Sequence, residues 1–385
     1  MKTLVLGGYG NFGARICRAL AGDASIDLQV AGRDAGQARR FADTLGGRAG
    51  AVAIDCNAPD FGQALAALHV DLVIHTAGPF QAQSYAVAIA AARAGAHYID
   101  LADGRRFVCD FPRALQDAFQ QAGRTAISGA STVPALSSAV VDHLAARWRA
   151  LHAIDTCIAP AQTAPRGKAT LAAVLSYCGK PVRVWRGGQW TQAPGWAAPE
   201  RIEFKRLRPR IGALCDIPDL ELFPARYGVR DRVMFRAALE VAATQRAFAV
   251  LAALRGMGLL KRPERLAGFL DRISGVFDPL GTPLGGMVVR IEGLDPAGRP
   301  ARRAWHIAAD NDDGPEIPCM PAILLARKLA AGDAMATGAF TAASLLSLDE
   351  FEPEFARWGM VTDIVDEAPD ASREHPAANT TVALR

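Results

Sequence analysis

The sequence lacks the cysteine and histidine spacings that usually hold a metal ion or a disulfide framework. Its seven cysteines are scattered without a C-x-x-C pair, and its seven histidines form no H-E-x-x-H motif. Dispersed cysteines in odd number are typical of reduced thiols in a cytoplasmic protein rather than of a disulfide-bonded secreted one. We therefore expect no metal site and a cytoplasmic location.

Long apolar runs and basic patches interleaved with aromatic residues are also missing. The most apolar helical stretch, residues 247–260, is interrupted by Arg255 and is too short to span a bilayer. The net charge is only +4, and no aromatic-lined lysine patch accompanies it, so nucleic acid is not an expected partner. The first residues enter a strand pattern directly, and we expect no cleaved leader.

A glycine-rich motif follows the first strand pattern. Residues 3–6 predict a buried strand, and Gly8, Gly10 and Gly13 then follow in G-x-G-x-x-G spacing before a helical pattern. In such a motif the glycines permit a tight turn, a close approach of pyrophosphate to the backbone, and close packing of the helix on the strand. The pyrophosphate binds N–H groups at the helix N-terminus. The expected site comprises Gly8, Tyr9, Gly10, Asn11, Phe12 and Gly13.

The end of the second predicted strand distinguishes between cofactors. NAD-specific sites usually carry an acidic residue here, about twenty positions beyond the last glycine. This chain has Ala31-Gly32-Arg33-Asp34 instead, and Arg33 is suited to bind a 2′-phosphate through its guanidinium. We expect NADP, with NAD left open; alternatively, Arg33 is a solvated charge and Asp34 caps the next helix.

Strand and helix patterns alternate as far as residue 128, which predicts an α/β fold with a doubly wound parallel sheet. Ligands of such sheets lie across the carboxyl ends of the strands. The cofactor-lining residues expected after the third and fourth strands are Asp55, Thr76, Ala77, Gly78 and Pro79.

From about residue 154 the strand patterns are separated by longer, irregular loops, which predicts a second, α+β domain on a mixed or antiparallel sheet. The expected division is an NAD(P)-binding Rossmann domain at 1–133, a substrate-binding and dimerisation domain at 134–347, a return segment packing on the first domain at 348–365, and a disordered tail at 366–385. An apolar helical insert at 242–277 favours a homodimer, with peripheral membrane contact as the alternative.

Several motifs resemble those of the saccharopine dehydrogenase-like family of NAD(P)-dependent oxidoreductases. They are residues 7–13, 77–80, 95–101 and 128–134. The resemblance implies a Rossmann domain, a second domain with substrate and dimer contacts, and hydride transfer to or from a nicotinamide. The sequence departs from many members after the fifth strand, where Ala102-Asp103-Gly104 stands in place of a Gly-Glu pair. This loop is expected to face the nicotinamide, so the substrate stays open.

Hydride transfer to an imine, carbonyl or enoyl group needs a proton donor or acceptor near the reacting carbon. The nearest titratable residues in the sequence are His97, Tyr98, Asp100 and Asp103, of which Tyr98 and Asp100 share one face of the predicted strand. We take these four as catalytic candidates. The alternative to an enzyme is a protein that binds NADP(H) without turnover.

The substrate itself can be a charged amino acid or a lipophilic molecule. The first would need two cationic groups in the interdomain cleft, for which Arg186 and Arg226 are the candidates. The second would need an apolar lining, for which the insert offers Phe248, Leu251 and Met257 facing inward. The length of the insert slightly favours the lipophilic substrate.

Overall fold

The computed structural model describes residues 1–165, 168–197 and 199–368. The N-terminal part alternates strands and helices. Its strands are β1 (Lys2–Leu6), β2 (Asp27–Gly32), β3 (Ala49–Ala53), β4 (Leu72–His75), β5 (His97–Asp100) and β6 (Thr125–Ser128). Its helices are α1 (Asn11–Leu20), α2 (Ala35–Asp43), α3 (Phe61–Ala67), α4 (Ala86–Arg93) and α5 (Arg105–Ala122).

The remaining chain forms a second domain, then adds one strand to the first sheet and ends with a strand in the second sheet. Its strands are β7 (Ala150–Ala159), β8 (Pro181–Arg186), β9 (Gln189–Pro194), β10 (Glu200–Ile202), β11 (Arg210–Leu214), β12 (Arg232–Leu239), β13 (Gly285–Leu294), β14 (Pro300–Ala309), β15 (Gly338–Thr341) and β16 (Val361–Glu367). Its helices are α6 (Ser137–Ala145), α7 (Lys168–Tyr177), α8 (Asp219–Arg226), α9 (Ala242–Gly256), α10 (Ala267–Ser274), α11 (Met320–Ala331) and α12 (Leu348–Arg357).

The first sheet is parallel and has the strand order β15-β6-β5-β4-β1-β2-β3. Leu4 and Val5 of β1 are fully buried, as expected for a central strand covered by helices on both faces. The strand order reverses direction between β4 and β1, and ligands of doubly wound sheets bind at such a switch point. The predicted Rossmann-type sheet is confirmed.

The second sheet is mixed, in the order β10-β11-β12-β7-β13-β14-β16, with the β8–β9 hairpin attached to β12. Strands β12 and β7 run parallel, whereas the other named neighbours are antiparallel. One face, which includes Val289 and Trp305, packs into the main core. The predicted second domain on a mixed sheet is confirmed.

The C-terminal segment differs from its prediction. The chain rejoins the first sheet at β15, which pairs with β6, before the return segment expected at 348–365. Strand β16 instead pairs with β14 in the second sheet, and it includes Asp366 and Glu367, so the expectation that the tail begins at 366 is wrong. Their charge resembles that of a solvated tail, but arginines of the second sheet pair with both carboxylates. The rest of the predicted tail, from 369, lies outside the described residues.

Across the described part of the chain, no helix combines the length and apolar character needed to cross a membrane.

Candidate cofactor site and interdomain cleft

The turn between β1 and α1 has the geometry that the glycine motif predicts. The N–H groups of Gly7 and Gly8 both donate to the Ala31 carbonyl at 2.9 Å, which fixes the turn against β2. A Cβ atom on Gly13 would lie 2.1 Å from the Gly7 carbonyl oxygen, so only glycine allows α1 to pack this closely.

Gly10 is different, because it is exposed and a Cβ there would meet only the Gly7 carbonyl oxygen, at 3.1 Å. The space beside its backbone is therefore open to an approaching group. The first N–H groups of α1 have no intrahelical partner and, with the helix dipole, favour an anion. The turn thus fits a pyrophosphate.

The end of β2 carries Asp34, which is engaged in a helix cap, and Arg33, which is exposed. Asp34 caps α2, since its Oδ1 accepts a hydrogen bond from the Gln37 N–H at 2.9 Å, and hydrogen bonds from Gln37 lower the Asp34 pKa. Tyr9 lies over Gly32, where a Cβ would be 2.3 Å from its ring, and its hydroxyl accepts from the Asp34 N–H at 3.1 Å. Arg33 is exposed, and no ion pair involves it within the described ranges.

The loop after β4 forms the facing wall. The Thr76 hydroxyl donates to the Leu6 carbonyl at 2.7 Å, which holds the loop beside β1. The Gln83 side-chain amide donates to the carbonyls of Ala77 at 2.7 Å and Pro79 at 3.0 Å, which holds Gly78 between them. Thr76, Ala77 and Gly78 are half-buried and Pro79 is exposed, so this loop borders the space above β1 and β4.

Asp55 lies two residues after β3. Its Oδ1 accepts a hydrogen bond from the Asn57 N–H at 3.0 Å. The side chain is half-buried. Because it accepts this hydrogen bond two residues along the chain, it closes a local turn after β3.

His97 is at the wrong end of its strand for catalysis. Strand β5 begins at His97, so this residue lies at the amino edge of the sheet, opposite the edge where ligands bind. Its Nδ1 accepts a hydrogen bond from the Thr125 N–H at 3.0 Å. The prediction that His97 lies near the reacting carbon is wrong, because that residue starts the strand instead of ending it.

Tyr98 and Asp100 are both completely buried. Tyr98 stacks on Phe111 with 5.8 Å between the ring centroids. Asp100 Oδ1 accepts from the Gly129 N–H at 2.8 Å, the Ala102 N–H at 2.9 Å and the Ser128 hydroxyl at 3.0 Å. Burial raises the pKa of Asp100 to about 6, against the effect of these hydrogen bonds. Asp100 thus joins the ends of β5 and β6 beneath the site and does not reach its surface.

Asp103 lies in the loop between β5 and α5, close in sequence to Arg105, which pairs with Asp216 and Glu221 of the second domain. Asp103 is half-buried, and its Oδ1 accepts from the Gln81 amide at 2.9 Å. Burial raises its pKa. Tyr177 lies at the end of α7 in the second domain. Burial raises its pKa well above 10, and the charges of Cys215, Asp103 and Asp216 add to the shift.

Tyr177 and Asp216 were missed by the sequence reasoning. Neither lies in a recognisable motif, and only the folding of the second domain brings them toward the loop after β5.

Arg105, the first residue of α5, bridges the domains. It is 6% exposed, and its guanidinium donates to Glu221 at 2.9 Å, to the Arg183 carbonyl at 2.7 Å and to Asp216 at 3.2 Å. It is therefore a buried cation of the cleft that is already neutralised by protein carboxylates.

Replacing Arg105 with glutamine is expected to lower the free energy of unfolding by about 3 kcal/mol, because Asp216 loses its ion-pair partner and Glu221 keeps only its pair with Arg106. Urea unfolding followed by circular dichroism measures this. The control is Arg106→Gln: the Arg106 side chain is 62% exposed in its ion pair with Glu221, so its loss should cost only about 0.5 kcal/mol. Equal losses would contradict the bridging role of Arg105.

The second domain also contacts the glycine turn. The Asn11 side-chain amide donates to the Pro165 carbonyl at 3.3 Å. Arg15 donates to Asn11 Oδ1 at 2.6 Å and forms an ion pair with Glu316 at 2.9 Å. Glu316 lies in a short 3-10 turn, Gly314–Cys319, and burial raises its pKa. Both domains therefore border the cofactor site.

The substrate-binding candidates lie elsewhere. Arg186 and Arg226 are exposed, and the Arg226 guanidinium lies over the Tyr227 ring at 5.9 Å. Of the insert residues, Phe248 packs on Trp196 with 4.9 Å between ring centroids, whereas Met257 is 65% exposed. The expectation that Met257 faces inward is wrong, because α9 ends at the surface.

This fold and turn define a dinucleotide-binding protein of two domains. Residues 3–127 match the family model of the saccharopine dehydrogenase NADP binding domain. That segment is thus similar to the NADP-binding domain of saccharopine dehydrogenases, and the predicted resemblance to the saccharopine dehydrogenase-like family is confirmed. The expectation of NAD(P) as cofactor is confirmed with it.

Two solved structures share the fold over nearly the whole chain. Apo saccharopine dehydrogenase (L-Glu forming) from Saccharomyces cerevisiae has a TM-score of 0.67 at 14% identity, covering 95% of this chain and 100% of that chain. Homospermidine synthase from Legionella pneumophila in complex with NAD has a TM-score of 0.63 at 11% identity, covering 97% and 93%. At these identities the likeness concerns the fold alone. No curated protein sequence matches the chain.

Proposed function

We propose that this protein is an NADP-dependent oxidoreductase that transfers a hydride between nicotinamide and an imine, carbonyl or enoyl group of a small molecule. The observation that carries the proposal is a half-buried, titratable Asp103 at the carboxyl edge of the same sheet that holds the open Gly10 turn. The second domain contacts this edge through Pro165 at Asn11 and through Asp216 and Glu221 at Arg105. In this proposal the first domain binds the cofactor, and Asp103 and Tyr177 act on the substrate.

The cofactor is held by the first domain. The open backbone at Gly10 and the free N–H groups of α1 fit its pyrophosphate. Thr76, Ala77 and Gly78 line its path along the sheet edge, and Arg33 is the available cation for a 2′-phosphate. Asp34 is engaged in capping α2, so it is a poor ligand for the free ribose 2′-hydroxyl of NAD.

When bound, the nicotinamide supplies or accepts the hydride. Asp103 holds a proton more firmly than an ordinary carboxyl group because burial raises its pKa. Tyr177 stays a neutral O–H donor because its pKa is higher still. In this proposal Asp103 exchanges the proton with the substrate, and Tyr177 orients the substrate heteroatom by a hydrogen bond.

The activity is tested by following NADPH absorbance with panels of keto acids with amines, amino acids, polyamines and enoyl or acyl compounds. We expect turnover with one chemical class. If NADPH binds tightly but every class fails, the protein binds the cofactor without turnover.

Replacing Arg33 with aspartate should weaken NADPH binding by about 10- to 100-fold, because repulsion replaces a charge-assisted contact with the 2′-phosphate. NADH, which lacks that phosphate, should be nearly unaffected. Fluorescence titration of both cofactors measures the ratio. Arg39→Asp is the control, since Arg39 is also exposed, on α2. If the ratio of the NADPH and NADH affinities is unchanged in Arg33→Asp, the assignment of Arg33 to the 2′-phosphate, and with it the preference for NADP, is contradicted.

We also propose a homodimer through the second domain in a cytoplasmic protein. Strand β16 is an edge of the second sheet, and Val361 and Ile364 on it are 41% and 50% exposed. Exposed edges are suited to pairing with a second copy. Light scattering should give a dimer for the wild type and a monomer for Ile364→Lys; a wild-type monomer at micromolar concentration would contradict this.

A further inference from the structure

Helix α9 and the turn after it present an apolar surface to solvent. Val250, Met257 and Leu259 are 57%, 65% and 73% exposed. Within α9, the other exposed positions are alanine or glycine except for Arg246. Val250, Ala253 and Met257 follow one another at helical spacing and share a face. A surface helix usually carries polar residues on its outer face, so this face is suited to an apolar environment.

The inner side of α9 is firmly attached. Phe248 packs on Trp196, and the Arg255 guanidinium donates to the carbonyls of Leu175 at 3.0 Å and Ser176 at 3.2 Å at the end of α7. The outward apolar face is therefore presented by an anchored helix.

The fully exposed charges around this face are positive among the side chains that the structure describes. Among the described side chains of residues 242–272, the exposed charged residues are Arg246, Lys261, Arg262, Arg265 and Arg272. Glu264, whose side chain is 37% exposed, is paired with Arg255 at 3.9 Å. Lys261 and Arg262 directly follow the exposed Leu259, which places positive charge beside the apolar tip.

We propose that this surface, α9 with residues 257–262, docks on an anionic lipid bilayer. Met257 and Leu259 enter the boundary between headgroups and acyl chains, and Lys261 and Arg262 contact anionic headgroups. Apolar residues flanked by basic ones are the pattern of interfacial helices, and each basic residue near an anionic leaflet adds attraction. A second copy is a poorer occupant, because a two-fold contact would bring two sets of like charges together.

The test is co-sedimentation of the full chain with vesicles of phosphatidylcholine alone and of equimolar phosphatidylcholine and phosphatidylglycerol. We expect binding to the anionic vesicles only, weakened by salt. Met257→Glu with Leu259→Glu should reduce it at least about tenfold. Lys261→Gln with Arg262→Gln should reduce it by about fivefold for each charge removed.

The control is Ile211→Glu, which changes a 43% exposed apolar residue on β11 and should leave vesicle binding unchanged. Absent wild-type binding, or equal binding by the Met257/Leu259 variant, would overturn the proposal. So would light scattering in which that variant changes a dimer to a monomer, since the face would then join two copies. NADPH titration of every variant keeps the tests separate: a protein that binds vesicles but no cofactor contradicts only the proposed function.

Discussion

Replacing Gly10 with valine should reduce NADPH affinity by more than about 100-fold, because the side chain would fill the space that a pyrophosphate needs at the start of α1. The fold should survive. Gly10 does not need a left-handed backbone, with φ at −78°, and its Cβ would meet only the Gly7 carbonyl oxygen at 3.1 Å. Fluorescence titration measures the affinity, and circular dichroism with thermal unfolding checks the fold.

Gly22 and Gly13 serve as control positions for this result. Gly22 has nothing within 4 Å of a Cβ position, so Gly22→Val should leave NADPH binding unchanged. Gly13→Val should lose binding together with stability, because its Cβ would lie 2.1 Å from a backbone oxygen. Normal NADPH binding by Gly10→Val would show that the cofactor does not approach this turn.

Replacing Asp103 with asparagine should lower kcat by about 10²- to 10⁴-fold, the range for loss of a general acid or base. NADPH affinity should be retained, because Asp103 lies beyond the glycine turn. If Asp103 acts as an acid, the wild-type rate should fall as pH rises through its raised pKa. That limb of the pH–rate profile should be absent from the variant.

The matched control for Asp103 is Asp110→Asn. Asp110 belongs to the same helix region but pairs with Arg106 at the surface, so its loss should leave kcat nearly unchanged. Tyr177→Phe should reduce kcat less than Asp103→Asn, because it removes a hydrogen bond and leaves the proton carrier. Equal kcat values for Asp103→Asn and the wild type would contradict the role of Asp103 and show that another group transfers the proton.

Local patterns predicted the glycine turn from which the proposed cofactor site is built. The proposed roles of Gly8, Gly10 and Gly13 depend on one turn and the helix that follows it, so the glycine spacing in its strand–turn–helix context is enough to predict them. The fold class followed from the alternation of strands and helices. The candidates on β5 do not reach the site, for two reasons. A central strand is buried on both faces, so Tyr98 and Asp100 belong to the core. His97 is the first residue of the strand and therefore lies at the opposite edge of the sheet.

The substrate half could not be read from the sequence. Asp216 and Tyr177 lie in segments with no motif, and Asp216 meets Arg105 of the first domain only in the folded protein. Arg105 likewise resembles a solvated helix residue until Glu221 and Asp216 surround it. Strand β16 was missed because its acidic residues gain arginine partners only in the folded sheet.

The most direct test of the central claim is a crystal structure with NADP+ bound. The account predicts the pyrophosphate on the N–H groups at the start of α1, the 2′-phosphate beside Arg33, and the nicotinamide C4 facing the space between Asp103 and Tyr177. A nicotinamide directed away from both side chains, or a pyrophosphate bound elsewhere than at Gly10, would contradict it.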